Sequence, residues 1–129
     1  MATSSDTLKI TFGAGNAYTF KGQDTTQHRV HSRGHIWLSD DNPNFTITFA
    51  AQGGYTFDPA KPIYLGPNPA PKQFDDCNNQ FGYTFDPKKP AKLQLTSQNN
   101  DGGKYFYLLN FLDLQGNSFP IADPIIVNR

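Results

Sequence analysis

Glutamate is absent from this sequence, and all eleven acidic residues are aspartates. Glutamate favours helices, whereas aspartate and asparagine favour caps and turns. Aromatic residues make up 14% of the chain, and threonine, glycine, proline and asparagine are frequent. This composition is typical of short strands joined by explicit turns. We therefore expect an all-β protein with very little helix, in which any acidic side chain must be an aspartate.

Cysteine and long apolar runs are also scarce. Cys77 is the only cysteine, so an intramolecular disulfide is excluded and nothing points to an oxidising compartment. No stretch reaches the length of a membrane span, and the first residues lack the basic and apolar regions of a signal peptide. We expect a soluble protein in a cytoplasmic setting; a secreted protein whose leader has been removed is the alternative.

Charge of neither sign is in excess. Eleven lysine and arginine residues balance the eleven aspartates, and the formal net charge is zero. Proteins that bind polyanions or membrane surfaces in general carry a marked excess of one sign. We therefore expect neither nucleic acid nor a membrane as a main partner. A chain of 129 residues is long enough to bury a core without disulfides or metals, so residues 1–129 are predicted to form a single domain.

Alternating apolar residues predict several half-buried strands. Residues 8–12 and 45–49 alternate apolar and polar side chains with the period of two that such strands show. The Asp-Asp-Asn-Pro-Asn run at 40–44 is a strong turn signal. The strand at 36–38 before this turn is expected to pair with 45–49 as a hairpin. Together these patterns predict an antiparallel β-sandwich.

The most apolar stretch is a strand predicted over residues 105–112. Both of its faces carry aromatic or aliphatic side chains, and only Asn110 interrupts them. Such a strand must be covered on both faces, so we expect it to be central in a sheet. The closing strand at 125–127 carries no charge to protect an exposed edge, and pairing of that edge with a second copy predicts a homodimer. The alternative is a monomer in which the loop at 66–80 covers the apolar face.

A nine-residue segment occurs twice in the chain. Residues 54–62, Gly-Tyr-Thr-Phe-Asp-Pro-Ala-Lys-Pro, return as residues 82–90 with one difference. The aspartate of each copy can accept backbone hydrogen bonds and the following proline fixes φ, as a type I turn requires. We expect both copies to make the same corner, with both phenylalanines in the core. The alternative is a pair of equivalent pockets that present Tyr55 and Tyr83.

The polar, proline-rich loop at 66–80 is the first place to look for a ligand site. Loops of this length in a compact domain are uncommon and tend to be functional; a solvated loop without a ligand is the equal alternative. Aromatic rings beside carboxylate and amide groups are suited to glycan recognition, because the rings stack on sugars and the polar groups bind hydroxyls. The candidate ligand-binding residues are Tyr64, Phe74, Tyr83, Asp75 and Asp76.

A local cationic stretch contains all three histidines. Its members are His28, Arg29, His31, Arg33 and His35. On a helix the histidines would share one face and could bind a metal, but on a strand His28 and His31 point to opposite faces. We therefore predict no metal site. An anion-binding or pH-sensitive patch is the functional interpretation, and a solvated polar edge is the simpler one.

The sequence contains no catalytic motif that we recognise. Cys77 lies between Asp76 and Asn78, and negative charge nearby suppresses the thiolate that a nucleophile needs. The aspartate pairs at 40–41 and 75–76 suggest a loose calcium site at most, since neither has EF-hand spacing. Phosphate-binding glycine loops, Gly-x-Ser-x-Gly motifs and catalytic triads are not recognisable. We predict a non-enzymatic protein without a cofactor.

The succession of short strands, with Tyr105 and Tyr107 near the end and a final Ile-Ile-Val strand, resembles small immunoglobulin-like or cupredoxin-like sandwiches. A cupredoxin copper site needs a cysteine, a later histidine and usually a methionine. Here no histidine follows Cys77 and the only methionine is Met1, so the resemblance implies the fold without copper. We expect a non-enzymatic binding or structural module that self-associates. The alternative function is a lectin-like, glycan-binding protein.

Overall fold

A computed structural model describes residues 5–22, 28–30, 33–38, 45–98, 103–121 and 125–127, with the backbone alone at residues 16, 28 and 29. Within these ranges the chain forms strands and one short 3-10 helix, Ala14–Asn16. The strands are β1 Ser5–Phe12, β2 Tyr18–Lys21, β3 His28–Val30, β4 Ile36–Leu38, β5 Phe45–Ala51, β6 Thr56–Phe57, β7 Ile63–Gly66, β8 Phe81–Thr84, β9 Lys92–Ser97, β10 Lys104–Leu112, β11 Ser118–Ile121 and β12 Ile125–Val127.

The strands form two sheets that pack face to face. The first sheet has the order β2-β1-β5-β9-β8, and the second has the order β11-β10-β12-β4-β3, with β6 and β7 also paired to β10. Aromatic rings are in contact between the sheets. The ring centroids of Phe49 in β5 and Tyr107 in β10 lie 5.6 Å apart, and those of Phe81 in β8 and Tyr105 in β10 lie 4.9 Å apart. The prediction of an all-β, sandwich-like fold with almost no helix is confirmed.

The prediction of purely antiparallel sheets is wrong. β1 pairs with β5 in parallel, and β12 pairs with β4 in parallel. After the β1–β2 hairpin the chain passes to β3 and β4 in the second sheet before it returns as β5 beside β1. A connection that leaves a sheet and comes back can place two strands in parallel, whereas a tight hairpin cannot. Both sheets are therefore mixed.

The hairpin expected around residues 40–44 is also wrong. β4 belongs to the second sheet and β5 to the first, so the two strands are not partners; the turn between them lies outside the described residues. Ile36 and Leu38 are nevertheless buried, as are Phe45 and Phe49. Period-two alternation shows that a strand has one buried face, but it does not identify the strand beside it.

β10 is the central strand that its sequence predicts. Along one side it pairs with β11 and β12, and along the other with β6 and β7. The side chains that point into the sandwich are all buried, and these are Tyr105, Tyr107, Leu109 and Phe111. This row forms the middle of a buried cluster to which β1, β5, β7 and β9 also contribute.

β12 is not an edge strand, contrary to the premise of the dimer prediction. It lies between β10 and β4, with Tyr105 opposite Ile126 on one side and Ile36 opposite Ile126 on the other. The apolar Ile-Ile-Val sequence suits an interior strand that pairs on both sides. Protection of this edge therefore gives no reason to dimerise, and self-association stays a prediction that needs another surface.

The two repeated segments have the same turn chemistry. Asp58 Oδ1 accepts a hydrogen bond from the Ala60 N–H at 3.0 Å, and Asp86 Oδ1 accepts one from the Lys88 N–H at 2.9 Å. The strands around the turns differ, however. β6 and β7 both pair with the same side of β10, so the first copy is an outward bulge in one interrupted strand. β8 and β9 pair with each other, so the second copy closes a hairpin. The prediction of identical corners thus holds for the turn only.

Asn110 holds the bulge of the first copy in place. Its N–H donates to the Pro62 carbonyl at 3.0 Å, its carbonyl accepts from the Asp58 N–H at 2.9 Å, and its Nδ2 donates to the Lys61 carbonyl at 2.8 Å. The Ser118 hydroxyl donates to Asp58 Oδ2 at 3.0 Å. A polar side chain within an apolar strand is therefore explained, because the backbone that leaves the ladder needs hydrogen-bond partners.

The two copies also contact one another. The ring centroids of Phe57 and Phe85 lie 6.3 Å apart at an angle of 70°, and the Phe57 N–H donates to the Pro90 carbonyl at 2.8 Å. Phe57 is fully buried, whereas Phe85 is half-buried at the margin of the core. The core prediction is therefore confirmed for Phe57 and holds in part for Phe85.

We expect Phe57→Ala to lower the free energy of unfolding by about 3–5 kcal/mol, because it removes a fully buried ring and leaves a cavity. Phe85→Ala is the matched control in the second copy, and it should cost clearly less because part of its ring already faces solvent. Denaturant unfolding of both variants measures the difference. Equal losses would contradict the unequal burial of the two copies.

We expect Asn110→Ala to lower the free energy of unfolding by about 1–3 kcal/mol, because the Lys61 carbonyl loses its donor in a partly buried position. Asn68→Ala, in the exposed part of the 66–80 loop, is the control for loss of an asparagine and should have almost no effect. The same denaturant measurement applies. A cost at position 110 no larger than that at position 68 would show that the side chain does not hold the bulge.

Candidate ligand-binding site

The loop that follows β7 is fastened to the second sheet at one point. The Leu65 N–H donates to the Gln73 carbonyl at 3.0 Å, and the Asp75 N–H donates to the Leu65 carbonyl at 2.8 Å. These two bonds form a parallel bridge between Leu65 and Phe74. Phe74 is thereby half-buried and packs against the edge of the core. The C-terminal half of the proline-rich loop is thus anchored to β7, the strand that precedes the loop.

An open depression lies between this loop and β8, the last strand of the first sheet. Four of the five ligand-binding residues predicted from the sequence meet there. The depression encloses about 670 Å³, within the range of small-molecule sites. Its lining residues are Gln73, Phe74, Asp75, Asp76, Phe81, Gly82 and Tyr83.

The aromatic part of this depression is a pair of rings in contact. The centroids of Phe74 and Tyr83 are 4.8 Å apart at an angle of 64°, an edge-to-face arrangement. Tyr83 is 41% exposed, which is unusual for a large aromatic side chain in this structure. Contact with Phe74 restricts the orientation of the Tyr83 ring. The pair therefore offers a fixed apolar platform next to polar groups.

Two carboxylates belong to the polar part of the same depression. Asp75 Oδ1 accepts a hydrogen bond from the Cys77 N–H at 2.9 Å. The main-chain carbonyl of Asp76 accepts a hydrogen bond from the Phe81 N–H at 3.0 Å. Both side chains are exposed. A carboxylate can accept about four hydrogen bonds, so the bond to Cys77 leaves capacity for the hydroxyl groups of a ligand.

The turn after these carboxylates has an unusual backbone. Cys77, Asn78 and Asn79 have φ values of 54°, 65° and 67°, three left-handed residues in succession. Asparagine tolerates this conformation, but for a cysteine it is unfavourable. Strained backbone of this kind is concentrated at functional sites, where the surrounding structure holds it. The strain lies directly beside Asp75 and Asp76 and fixes the path of the chain into β8.

Tyr64 is not among the residues that line the depression. It lies on the outer face of the second sheet, opposite Leu108. The structure therefore does not bring this predicted residue together with the other four. Tyr55 and Tyr83 are not equivalent either: Tyr55 stacks on Phe12 with the ring centroids 4.1 Å apart. Gln73, Phe81 and Gly82 line the site without having been predicted.

Of the predicted histidine and arginine patch, the structure describes the side chains of Arg33 and His35. His28 and Arg29 belong to β3, and His31 lies outside the described residues. Arg33 is exposed, whereas the half-buried His35 accepts a hydrogen bond at Nδ1 from the Ile125 N–H at 3.1 Å. This bond needs the neutral imidazole, since both nitrogens of the protonated ring are donors. His35 thus holds the turn before β4 against β12.

Tyr107 secures the same turn from inside the core. Its hydroxyl donates a hydrogen bond to the carbonyl of Gly34, which is buried and has a φ of 94°. Burial raises the pKa of Tyr107 well above its usual value, and Coulomb repulsion from the ionised form of Tyr18 raises this pKa further. The phenol therefore stays protonated and continues to donate at pH values where a solvated tyrosine ionises.

Comparison with known proteins does not assign this chain to a family, so its function has to be inferred from the fold and the site. Neither a scan against protein-family models nor a search of curated protein sequences finds a match for this chain. Across the described ranges, no helix is long and apolar enough to cross a bilayer. The same ranges contain no group of three or more histidine, cysteine or aspartate side chains suited to a metal ion. The structure defines an all-β, sandwich-like protein with an aromatic and carboxylate depression at its flank.

We expect the stability of the protein to decrease as the pH rises above about 10, the usual pKa of tyrosine. Above that pH the unfolded chain releases the Tyr107 proton, while the folded protein retains it. The contribution of Tyr107 to the free energy of unfolding is therefore complete below about pH 10, and it is lost as the pH rises towards the pKa of Tyr107 in the folded protein. Tyr107→Phe should reduce this slope and, at neutral pH, cost about 1–3 kcal/mol because the Gly34 carbonyl loses its donor. Denaturation between about pH 7 and pH 11 checks both effects. Identical slopes would contradict the expectation.

Proposed function

We propose that this protein is a non-enzymatic, lectin-like module that binds a glycan in the depression formed by Phe74, Tyr83, Asp75 and Asp76. One observation carries the proposal: an aromatic pair, the exposed Tyr83 and the half-buried Phe74, lies in the same depression as two exposed carboxylates. The apolar face of a sugar ring packs on aromatic rings, and its hydroxyl groups donate to carboxylate oxygens. The depression supplies both kinds of group within one small surface.

The arrangement supports binding rather than catalysis. Hydrolysis of a glycosidic bond uses two carboxyl groups on opposite sides of the scissile bond, with different environments that set an acid apart from a base. Asp75 and Asp76 are consecutive residues of one turn, and both are exposed. Such a pair is suited to accept hydrogen bonds from one side of a ligand. Many immunoglobulin-like or cupredoxin-like sandwiches bind ligands through their loops, so the resemblance to these folds agrees with this proposal.

Self-association is the second candidate function, and the outer face of the second sheet favours it. Trp37 of β4 is 37% exposed there, next to Val127 of β12. The same face carries half-buried apolar side chains on β12, β10 and β7, and these are Ile125, Phe106, Leu108 and Tyr64. The exposed Lys104 lies on this face too, with its Nζ 5.4 Å from the centroid of the Phe106 ring. A mostly apolar face of this kind is characteristic of interaction surfaces. A homodimer formed through this face would replace the edge-to-edge pairing that the sequence suggested.

We expect Tyr83→Ala to weaken glycan binding about fivefold or more, because loss of a stacking ring costs roughly 1 kcal/mol. Phe74→Ala should act in the same direction, since it removes the ring that orients Tyr83. Tyr64→Ala is the matched control, a tyrosine that lies outside the depression. An array of neutral and acidic oligosaccharides, probed with and without calcium, identifies the ligand on which the variants are then measured.

Two outcomes would contradict the glycan proposal. One is the absence of binding to any oligosaccharide in both conditions. The other is equal loss of binding in Tyr83→Ala and Tyr64→Ala, which would place the ligand elsewhere. Light scattering of the same samples tests self-association, because a mass that stays at 14.4 kDa on concentration would reject the dimer.

A further inference from the structure

Three lysines form a straight row across the outer face of the first sheet. Lys21 of β2 lies opposite Lys9 of β1, Lys9 lies beside Ala50 of β5, and Ala50 lies opposite Lys92 of β9. All three lysine side chains are exposed. Neighbouring strands are about 4.8 Å apart. Along the row, Lys21 lies one strand interval from Lys9, and Lys92 lies two strand intervals from Lys9 on the other side. Ala50, at the middle of the row, has a small side chain that is itself buried.

This row is unfavourable for the isolated sheet. Like charges that face one another directly on neighbouring strands destabilise a sheet, and Lys9 and Lys21 are such a pair. The chain as a whole has no net charge, so the row is a local concentration and not the result of a basic composition. An anion that lies across the strands would relieve this repulsion.

The row borders a polar groove. One depression contains Lys9 and Lys21, and a second contains Lys92 together with Lys89. The two depressions meet at Thr7 and Thr48, whose hydroxyl groups belong to both linings. Asp6 and Asp86 also line them, so four lysines are set against two carboxylates. The groove thus runs across the strands with positive charge at both ends and hydroxyl groups between.

We propose that this groove binds an acidic polysaccharide whose chain crosses the strands of the first sheet. Its sulfate or carboxylate groups pair with Lys9, Lys21 and Lys92, and its hydroxyl groups exchange hydrogen bonds with Thr7 and Thr48. A single-stranded nucleic acid would need aromatic or arginine side chains for base stacking. Neither type occurs among the described residues that line the groove. This surface is separate from the Phe74 and Tyr83 depression, and the proposal does not depend on that site.

The test compares two triple variants that change the charge equally. The first is Lys9→Gln, Lys21→Gln and Lys92→Gln, which removes the row. The control is Lys61→Gln, Lys72→Gln and Lys104→Gln, which removes three exposed lysines from other surfaces. The probes are heparin as a sulfated polysaccharide, polygalacturonate as a carboxylated one, neutral dextran, and a single-stranded oligonucleotide.

We expect heparin or polygalacturonate to bind, dextran not to bind, and the row variant to lose about fivefold in affinity for each lysine removed. The control variant should bind like the parent. The affinity of the parent should also fall with salt more steeply than that of the row variant, because fewer counterions are released without the lysines. The two acidic probes distinguish sulfate from carboxylate as the preferred group.

A single substitution separates this role from a structural one. Lys9→Glu places an opposite charge between Lys21 and Lys92, so it should raise the midpoint of thermal unfolding by about 1–3 °C while it weakens polysaccharide binding about 25-fold. If Lys9 had only a structural role, its replacement would lower the stability of the protein and its binding of polysaccharide together. The proposal is overturned if neither acidic polysaccharide binds, if both triple variants bind equally, or if the oligonucleotide binds more tightly than either polysaccharide.

Discussion

Burial of the inward face of β10, the central strand of the second sheet, against the first sheet is the constraint on which the rest of this structure depends. Its inward row packs against aromatic rings of the first sheet, and Tyr107 at its middle also bonds the carbonyl of Gly34. The backbone of β10 pairs with four other strands, two on each side. Because a strand apolar on both faces cannot lie at an edge in water, the remaining strands are arranged around it. Loss of its central position would expose most of the core.

The candidate surfaces are consequences of this arrangement. β6 and β7 use one side of β10, so the loop after β7 has to cross towards the first sheet before β8 begins. That crossing brings Phe74 into contact with Tyr83 at the flank of the sandwich. The return of β5 beside β1 similarly brings Lys9 and Lys92 into one row, although 82 positions separate them in the chain. The lysine row therefore exists in no local segment, whereas all the residues that line the flank depression fall within residues 73–83.

The repeated segments show where local chemistry stops and tertiary structure begins. The same Asp-Pro turn forms in both copies, since it needs only the aspartate side chain and the fixed φ of proline. The flanking strands differ in their partners. Asn110 of β10 holds the first copy as a bulge through its hydrogen bond to the Lys61 carbonyl, whereas the strands on either side of the second copy, β8 and β9, pair with each other as a hairpin. A sequence of nine residues encodes the turn but not the partner against which its strands are laid.

The sequence by itself determined the all-β class, the central position of β10, the buried Phe57 and four of the seven residues that line the flank depression. These follow from alternation, turn chemistry and apolar content, which act over a few residues. Only the tertiary structure decided the parallel pairs, the interior position of β12, the separation of β4 from β5, the place of Tyr64 and the lysine row. Each of these depends on which strands become neighbours, and neighbours are selected by burial of the whole core, which no local pattern records.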